Sequence, residues 1–182
     1  SGRPLAALQS LDRCGSVIYV STFTKILFNA LRLGFMVLPP MLVGPFASAK
    51  NCIDRHPPTL DQAILAEFIL EGHFGHHIRR MRQIYAERMA VFAEAAEKRL
   101  AGLLDVVKTV TGMRTVGWLQ TGESDRSAQS RANARGLELG ALSSFTLRHP
   151  VRSGLMLGFA GSSPSELRRG VDVLAGVLGN HL

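Results

Sequence analysis

Four side chains in the first forty residues carry groups that could act together chemically: Thr22, Thr24, Lys25 and Arg32. The lysine follows an apolar run within a hydroxyl-rich turn, and the arginine stands where the next apolar run begins. A partly deprotonated amine attacks an aldehyde, and burial or a neighbouring cation favours that neutral form. Hydroxyls and a guanidinium bind a phosphate dianion through charge-assisted hydrogen bonds. The layout therefore suits a ligand with an aldehyde and a phosphate arm, namely pyridoxal 5′-phosphate.

A plainer interpretation of the same residues stays open. A lysine that follows a strand is commonly a solvated strand-end residue, because charged side chains are seldom buried. Spacing alone does not separate this surface lysine from one that binds a cofactor.

Composition restricts the class of protein. The 182 residues are 46% hydrophobic and 19% charged, which favours a folded core over a disordered chain. The 2 cysteines are too few for a disulfide framework and favour a reduced, cytoplasmic setting. The net charge is +7, and such a basic balance can attract phosphates or nucleic acid. The arginines are scattered and no nucleic-acid motif accompanies them, so we interpret them as surface charge.

No secretory or membrane segment is expected. Residues 1–13 are polar and mixed, without the apolar region of a signal peptide. The longest uncharged stretch, residues 33–49, contains three prolines and makes a poor membrane span. The sequence also starts without a methionine, from which we expect that it is cut from a longer chain.

Apolar patterning in the first half predicts two short strands followed by helices. We expect a buried strand at residues 17–20 and a second strand at residues 33–38, stopped by prolines. A helix is expected to begin at Thr59, with that side chain as its cap. A long amphipathic helix is expected from residue 76 to about residue 100, ended by Gly102.

The second half alternates strands and helices, which indicates an α/β chain. Strands are expected near residues 106–110, 115–119, 137–142 and 155–159, and a helix near 124–134. Ser163, Pro164 and Glu166 form a capping box that opens the last helix. We expect Trp118 in the core of a second domain that starts after about Asp105.

A longer segment around the lysine carries a family resemblance. Residues 17–40, VIYVSTFTKILFNALRLGFMVLPP, closely resemble the lysine motif of fold type I aminotransferases that bind pyridoxal phosphate. Within that fold, the segment resembles the aminotransferase-like domain of MocR-type regulators of the GntR superfamily. The likeness extends through RHPPTLDQ (55–62), EGHF (71–74), HIRRMR (77–82) and GLMLGFA (154–160), and so covers nearly the whole sequence.

The resemblance implies a fold and a domain organisation. The expected fold class is α/β: the C-terminal portion of a pyridoxal-phosphate-dependent transferase of fold type I. Residues 1–56 would end the large cofactor-binding domain, residues 57–104 would form interdomain helices, and residues 105–182 would form a small α+β domain. In MocR-type proteins a winged-helix DNA-binding domain precedes the aminotransferase-like domain, so DNA would be bound only through a domain absent from this sequence.

The resemblance also implies roles for single residues. Lys25 would form the Schiff base with pyridoxal 5′-phosphate, and Thr22 and Arg32 would bind its phosphate. Thr24, where the family often has serine, is a further phosphate-binding candidate. In relatives that transaminate, the same lysine moves a proton between the substrate α-carbon and the cofactor.

The sequence departs from the family at the substrate. The arginine that binds the substrate α-carboxylate in aminotransferases corresponds here to Met156. Arg152 is our candidate for substrate binding, with Arg148 as an alternative, and either could equally be a surface charge in a loop. The acidic residue against the pyridine nitrogen, the stacking aromatic ring and the glycine-rich phosphate turn lie upstream in the family, outside this sequence.

A metal site is the alternative for the histidines. His73 and His77 are four residues apart, a spacing that can place two imidazoles on one helix face. Gly72 and Gly75 weaken a helix there, and the arginines at 79, 80 and 82 would repel a cation. We therefore expect no metal.

Three functional hypotheses follow. The first is the effector-sensing domain of a MocR-type regulator that binds an amino acid or amine, as a homodimer with no membrane contact. The second is a fragment of a stand-alone class I/II aminotransferase, which acts on amino acids and 2-oxo acids. The third is a truncated chain with no cofactor activity of its own, and we expect the isolated chain to be inactive.

Overall fold

The computed structural model describes residues 6–55, 57–147 and 152–179. The chain divides into two compact units, Ser1–Arg79 and Arg80–Leu182. Nearly all the buried hydrophobic residues in the described ranges belong to the second unit, and Leu65 is the exception. None of the helices described is both long enough and apolar enough to cross a membrane.

Among the described residues of the first unit are a β-hairpin and three α-helices, and a fourth α-helix begins there. Strand β1 pairs antiparallel with β2, with Thr22 opposite Gly34 and Tyr19 opposite Val37. A Cβ on Gly34 would lie 2.9 Å from the Ser21 carbonyl oxygen, so the hairpin requires glycine there. The elements are α1 (Leu8–Leu11), β1 (Tyr19–Thr22), β2 (Gly34–Val37), α2 (Pro40–Ile53) and α3 (Thr59–Leu70).

Both predicted strands of the first unit exist, but the first is not buried. It begins two residues later than expected, and Val20 is 67% exposed. A two-stranded sheet gives each strand one neighbour, so much of its surface stays uncovered within this unit. The strand expected at residues 17–20 is therefore confirmed in part, as Tyr19–Thr22, and its expected burial is wrong.

Helix α2 was not predicted because prolines are poor helix formers. Pro40 stands in the first turn, where its missing N–H would have no helical partner in any case. Pro45 lies inside the helix and removes a single hydrogen bond. The expected Thr59 cap is also wrong: Pro58 occupies the capping position and no side chain caps α3.

The long helix is confirmed with a start three residues earlier than expected. Helix α4 (His73–Arg99) begins in the first unit and ends in the second, where Met89, Phe92 and Ala96 are buried. Gly102, at φ +76°, follows its end, and the amides of Leu103 and Leu104 donate to the Leu100 carbonyl.

An antiparallel sheet with helices forms the second unit, in the order β3-β4-β6-β5. The strand expected at residues 137–142 is confirmed only at Gly140–Ala141, which pair with β6, and a 3-10 turn, Leu142–Phe145, follows. The elements are β3 (Leu104–Val106), β4 (Arg114–Leu119), α5 (Asp125–Ala134), β5 (Gly140–Ala141), β6 (Gly154–Gly158) and α6 (Pro164–Gly179).

One face of this sheet packs into the core of the second unit. Phe159, Leu155 and Leu178 are among its most deeply buried side chains. The predicted cap of α6 is confirmed: the Ser163 amide donates to Glu166 Oε2 at 2.7 Å, and the Glu166 amide lies 3.4 Å from Ser163 Oγ.

Candidate functional site

The predicted lysine lies in the turn that leaves strand β1. The Phe23 amide donates to the Leu33 carbonyl at 3.0 Å and so extends the hairpin by one bond. The amides of Ile26 and Leu27 then donate to the Phe23 carbonyl at 3.1 and 2.9 Å. These bonds fold residues 23–27 into one turn, which we call the Lys25 turn.

Two threonine hydroxyls meet at the base of the Lys25 turn. Thr22 Oγ1 lies 2.9 Å from Thr24 Oγ1 and accepts a hydrogen bond from the Thr24 amide at 3.2 Å. Thr22 Oγ1 also donates to the Leu33 carbonyl oxygen at 2.9 Å. Thr22 and Thr24, which we grouped from the sequence, therefore have hydroxyls within hydrogen-bond distance of each other.

Arg32 stands on the other arm of the same hairpin. It follows the 3-10 turn Asn29–Leu31 in the left-handed region, at φ 51°, as the only non-glycine residue with positive φ among those described. This conformation costs an L-residue roughly 1–2 kcal/mol. Because Thr22 pairs with Gly34, the hairpin brings Arg32 to the same end as Thr22, Thr24 and Lys25.

The lysine and the arginine are exposed, as the alternative of a solvated lysine after a strand also predicts. Neither forms an ion pair or a side-chain hydrogen bond with another described residue. Their charges are therefore not neutralised by carboxylates of the described ranges, and an anionic ligand can reach both. An exposed amine is likewise open to an aldehyde from solvent.

Helix α4 supplies two contacts to the Lys25 turn that sequence reasoning missed. His77 Nε2 lies 2.9 Å from the Ile26 carbonyl oxygen. The Phe74 ring meets the Phe23 ring edge-on, with centroids 5.8 Å apart. The sequence held no local signal for either contact, since the partners are about fifty residues apart along the chain.

The two histidines weighed as metal ligands have different partners. His73 Nε2 lies 3.0 Å from Glu71 Oε2, whereas His77 contacts the Ile26 carbonyl. Over the ranges that the structure covers, no three histidine, cysteine or acidic side chains come together as a metal site.

The remaining candidate, Arg152, lies in the second unit. Its guanidinium carbon is 5.5 Å from the centre of the Trp118 ring, a cation–π distance. Trp118 is half-buried and outside the core cluster, so its expected place in the core is wrong. Strand alternation explains this, since Thr115, Gly117 and Leu119 face the core from the same strand. Arg148 lies outside the described residues.

Met156, which we expected at the position of the family's carboxylate-binding arginine, is half-buried on β6. Arg114 on the neighbouring strand places Nη1 3.4 Å from the Met156 sulfur. Two guanidinium groups therefore lie against side chains of this sheet, Arg114 against the thioether and Arg152, just before β6, over the indole.

Comparison with known proteins finds similarity to regulators and to enzymes. No protein-family model matches it. It is 39% identical over 173 residues to the probable rhizopine catabolism regulatory protein MocR of Rhizobium meliloti, covering 95% of this chain and 35% of that protein.

Solved structures of aminotransferases have the same fold. Kynurenine aminotransferase of Pyrococcus horikoshii, in complex with PMP, matches with a TM-score of 0.90 and 26% identity, over 100% of this chain and 45% of that one. The α-aminoadipate aminotransferase LysN of Thermus thermophilus, complexed with N-(5′-phosphopyridoxyl)-L-leucine, matches with a TM-score of 0.88 and 25% identity, over 100% and 47%. The chain thus spans between a third and a half of the length of these proteins.

Proposed function

We propose a function from the following premise: the chain belongs to the fold type I aminotransferase-like family, as the C-terminal part of such a domain. Our proposal is that it forms part of the effector-sensing domain of a MocR-type transcriptional regulator. The predicted fold class is confirmed by the aminotransferase structures that match the whole chain. The single observation that carries the proposal is the hairpin end that brings together Thr22, Thr24, Lys25 and Arg32. The regulator from Rhizobium meliloti aligns with 95% of this chain, and this similarity favours a sensing role over a metabolic one.

The residues at this hairpin end fit pyridoxal 5′-phosphate. Lys25 offers a primary amine that is accessible and unpaired among the described side chains, as an aldehyde requires. Thr22 and Thr24 offer hydroxyls, and Arg32 a guanidinium, as a phosphate requires. The bound cofactor supplies an electron sink for the amino acid that it carries.

Each residue then has a separate task. Lys25 Nζ would hold the cofactor covalently at its aldehyde carbon and, in a protein that transaminates, would carry the proton from the ligand α-carbon. Arg32 and Thr22 hold the phosphate, with Thr24 as a second hydroxyl. Arg152, oriented by the Trp118 ring, binds the carboxylate of an amino-acid effector or substrate.

The wider organisation is also a proposal. Residues 1–56 end the large cofactor-binding domain, residues 57–104 form interdomain helices, and residues 105–182 form the small domain. The protein acts in the cytoplasm as a homodimer and contacts DNA through a domain outside this sequence. Exposed apolar residues on the hairpin and on α2, such as Val20 and Met41, supply surface for the rest of the large domain.

Covalent trapping tests the proposal. The full-length protein is incubated with pyridoxal phosphate and reduced with borohydride, and mass spectrometry locates the label. We expect label on Lys25, and none there in Lys25→Ala. Lys50→Ala is the matched control, because Lys50 is an exposed lysine of the same unit paired with Asp54 at 3.0 Å. A folded protein that is labelled elsewhere, or not at all, contradicts the proposal.

A second candidate function is transamination by a stand-alone aminotransferase. The TM-score of 0.90 to an aminotransferase over the whole chain favours it. Assays with amino donors and 2-oxo acids test for turnover. If no donor gives a half-reaction, transamination is ruled out. Sequence upstream of Ser1 separates the candidates: a winged helix favours the regulator, and an aminotransferase arm favours the enzyme.

A further inference from the structure

The Lys25 turn is tied to helix α4 by one side-chain hydrogen bond. His77 Nε2 lies 2.9 Å from the carbonyl oxygen of Ile26, the residue directly after Lys25. A carbonyl oxygen can only accept, so Nε2 must carry the proton, and the imidazole is the Nε2–H tautomer or the imidazolium. The backbone bonds of the turn use the Phe23 carbonyl and leave the Ile26 carbonyl to the histidine.

We propose that His77 is a positioning residue for Lys25: through the Ile26 carbonyl it fixes the turn from which the lysine meets its ligand. This inference rests on the proposed function of Lys25 and adds a residue to that site. His77 itself touches neither ligand nor reacting atom in this role.

A second contact from the same helix supports the inference. Phe74 lies three residues before His77, so both side chains lie on one face of α4. Its ring packs edge-on against Phe23, and Phe23 in turn packs against Phe35 of β2, with centroids 5.3 Å apart. Helix α4 therefore contacts the turn at two residues: Phe23, before the lysine, and Ile26, after it.

The lysine itself has no such support. Lys25 is exposed and is not bonded through its side chain to any described residue, so its direction depends on the backbone of the turn. A backbone carbonyl held on one side and a ring held on the other restrict that backbone. Loss of the histidine bond would leave the backbone hydrogen bonds of the turn and the Phe23 contact as the remaining restraints on the amine, and a misplaced amine reacts more slowly.

Three variants of the full-length protein test the role. His77→Leu removes the donor at similar volume, and His77→Gln returns an amide N–H close to the place of Nε2. His76→Leu is the matched control, because His76 is an exposed neighbour with no side-chain hydrogen bond to a described residue. Two readouts are measured: hydrogen exchange of the amides of residues 23–28 without cofactor, and the rate of borohydride-trapped pyridoxal phosphate on Lys25.

We expect His77→Leu to exchange these amides faster and to slow trapping about tenfold, the size expected for one lost hydrogen bond. His77→Gln should recover most of both losses, and His76→Leu should match the wild type. Unchanged exchange and trapping in His77→Leu would overturn the inference. A uniform rise in exchange across the protein, without rescue by glutamine, would also overturn it, because it marks a merely structural histidine.

The two proposals fail in different ways. If the wild type traps no cofactor, the proposed function of Lys25 fails whatever the exchange data show. Wild-type trapping with no response of the turn to His77→Leu removes only the role of the histidine.

Discussion

The Thr22 hydroxyl donates to the Leu33 carbonyl oxygen at 2.9 Å, across the hairpin that carries Lys25. A hydroxyl has one proton, so Thr22 must turn it away from Leu33 before it can donate to a phosphate oxygen. The Thr24 hydroxyl, 2.9 Å away, can donate to Thr22 Oγ1 or to the phosphate in its place. Either threonine hydroxyl can therefore donate a hydrogen bond to the phosphate while the other keeps a partner within the hairpin.

Thr22→Val should weaken pyridoxal phosphate binding by about tenfold, because it removes a charge-assisted hydrogen bond. Thr22→Ser keeps the hydroxyl and should bind within about twofold of the wild type, as expected when the hydrogen bond itself is retained. Absorbance titration of the full-length protein measures both dissociation constants. Equal weakening by valine and serine would show that the methyl group, and not the hydroxyl, matters at this position.

Replacing Arg32 should change protein stability and cofactor binding in different directions. Its φ of 51° favours glycine, so Arg32→Gly should raise the free energy of unfolding by about 1 kcal/mol or leave it unchanged. The same change removes the guanidinium and should weaken cofactor binding more than tenfold, the scale of hydrogen bonds to charged groups. Denaturant unfolding and absorbance titration measure the two effects. A variant that loses stability while it binds normally would exclude a phosphate role for this residue.

The parts of the fold that could be predicted depend on local chemistry. The Ser163–Glu166 cap and the long helix α4 follow from neighbouring residues and a repeating apolar pattern, and both are confirmed. Helix α2 was missed because Pro45 contradicts local propensity, which tertiary context can override.

The candidate site shows the same limit. The hairpin spacing gave Thr22, Thr24, Lys25 and Arg32 as a group, and the structure brings them to one end. The contact of His77 was not predicted, because its hydrogen bond to Ile26 links two positions that no local sequence pattern relates. Trp118 was misplaced because an alternating strand does not tell which of its faces meets the core.

Asp125 gives the second unit a pH dependence. Burial alone would raise its pKa, but hydrogen bonds from the Ser143 hydroxyl and amide, at 2.7 and 2.8 Å, lower the pKa below 3.8. A carboxylate with a lowered folded-state pKa stabilises the protein above its unfolded value, and this contribution disappears as the pH falls through the folded value. Asp125→Asn should therefore cost about 1–3 kcal/mol at neutral pH.

That cost should stay constant above the unfolded value of 3.8 and shrink as the pH falls below it. Denaturant unfolding of the wild type and the variant across this range measures the difference. Ser143→Ala tests the partner and should show the same trend with a smaller amplitude. A gap between wild type and Asp125→Asn that widens in acid would contradict this origin of the stability.

Arg152 and Arg114 make competing candidates for a ligand carboxylate. Arg152 is held over the Trp118 ring, and Arg114 contacts the Met156 sulfur at 3.4 Å. If Arg152 binds the carboxylate, Arg152→Ala should weaken amino-acid binding by about tenfold to a hundredfold, the scale of a hydrogen bond between charged groups, and should barely affect the corresponding amine. Trp118→Leu removes the cation–π contact and should weaken the same binding by a smaller factor. The change in the cofactor absorbance band on addition of each ligand measures these affinities. A loss of affinity confined to Arg114→Ala would show that Arg114, and not Arg152, binds the carboxylate.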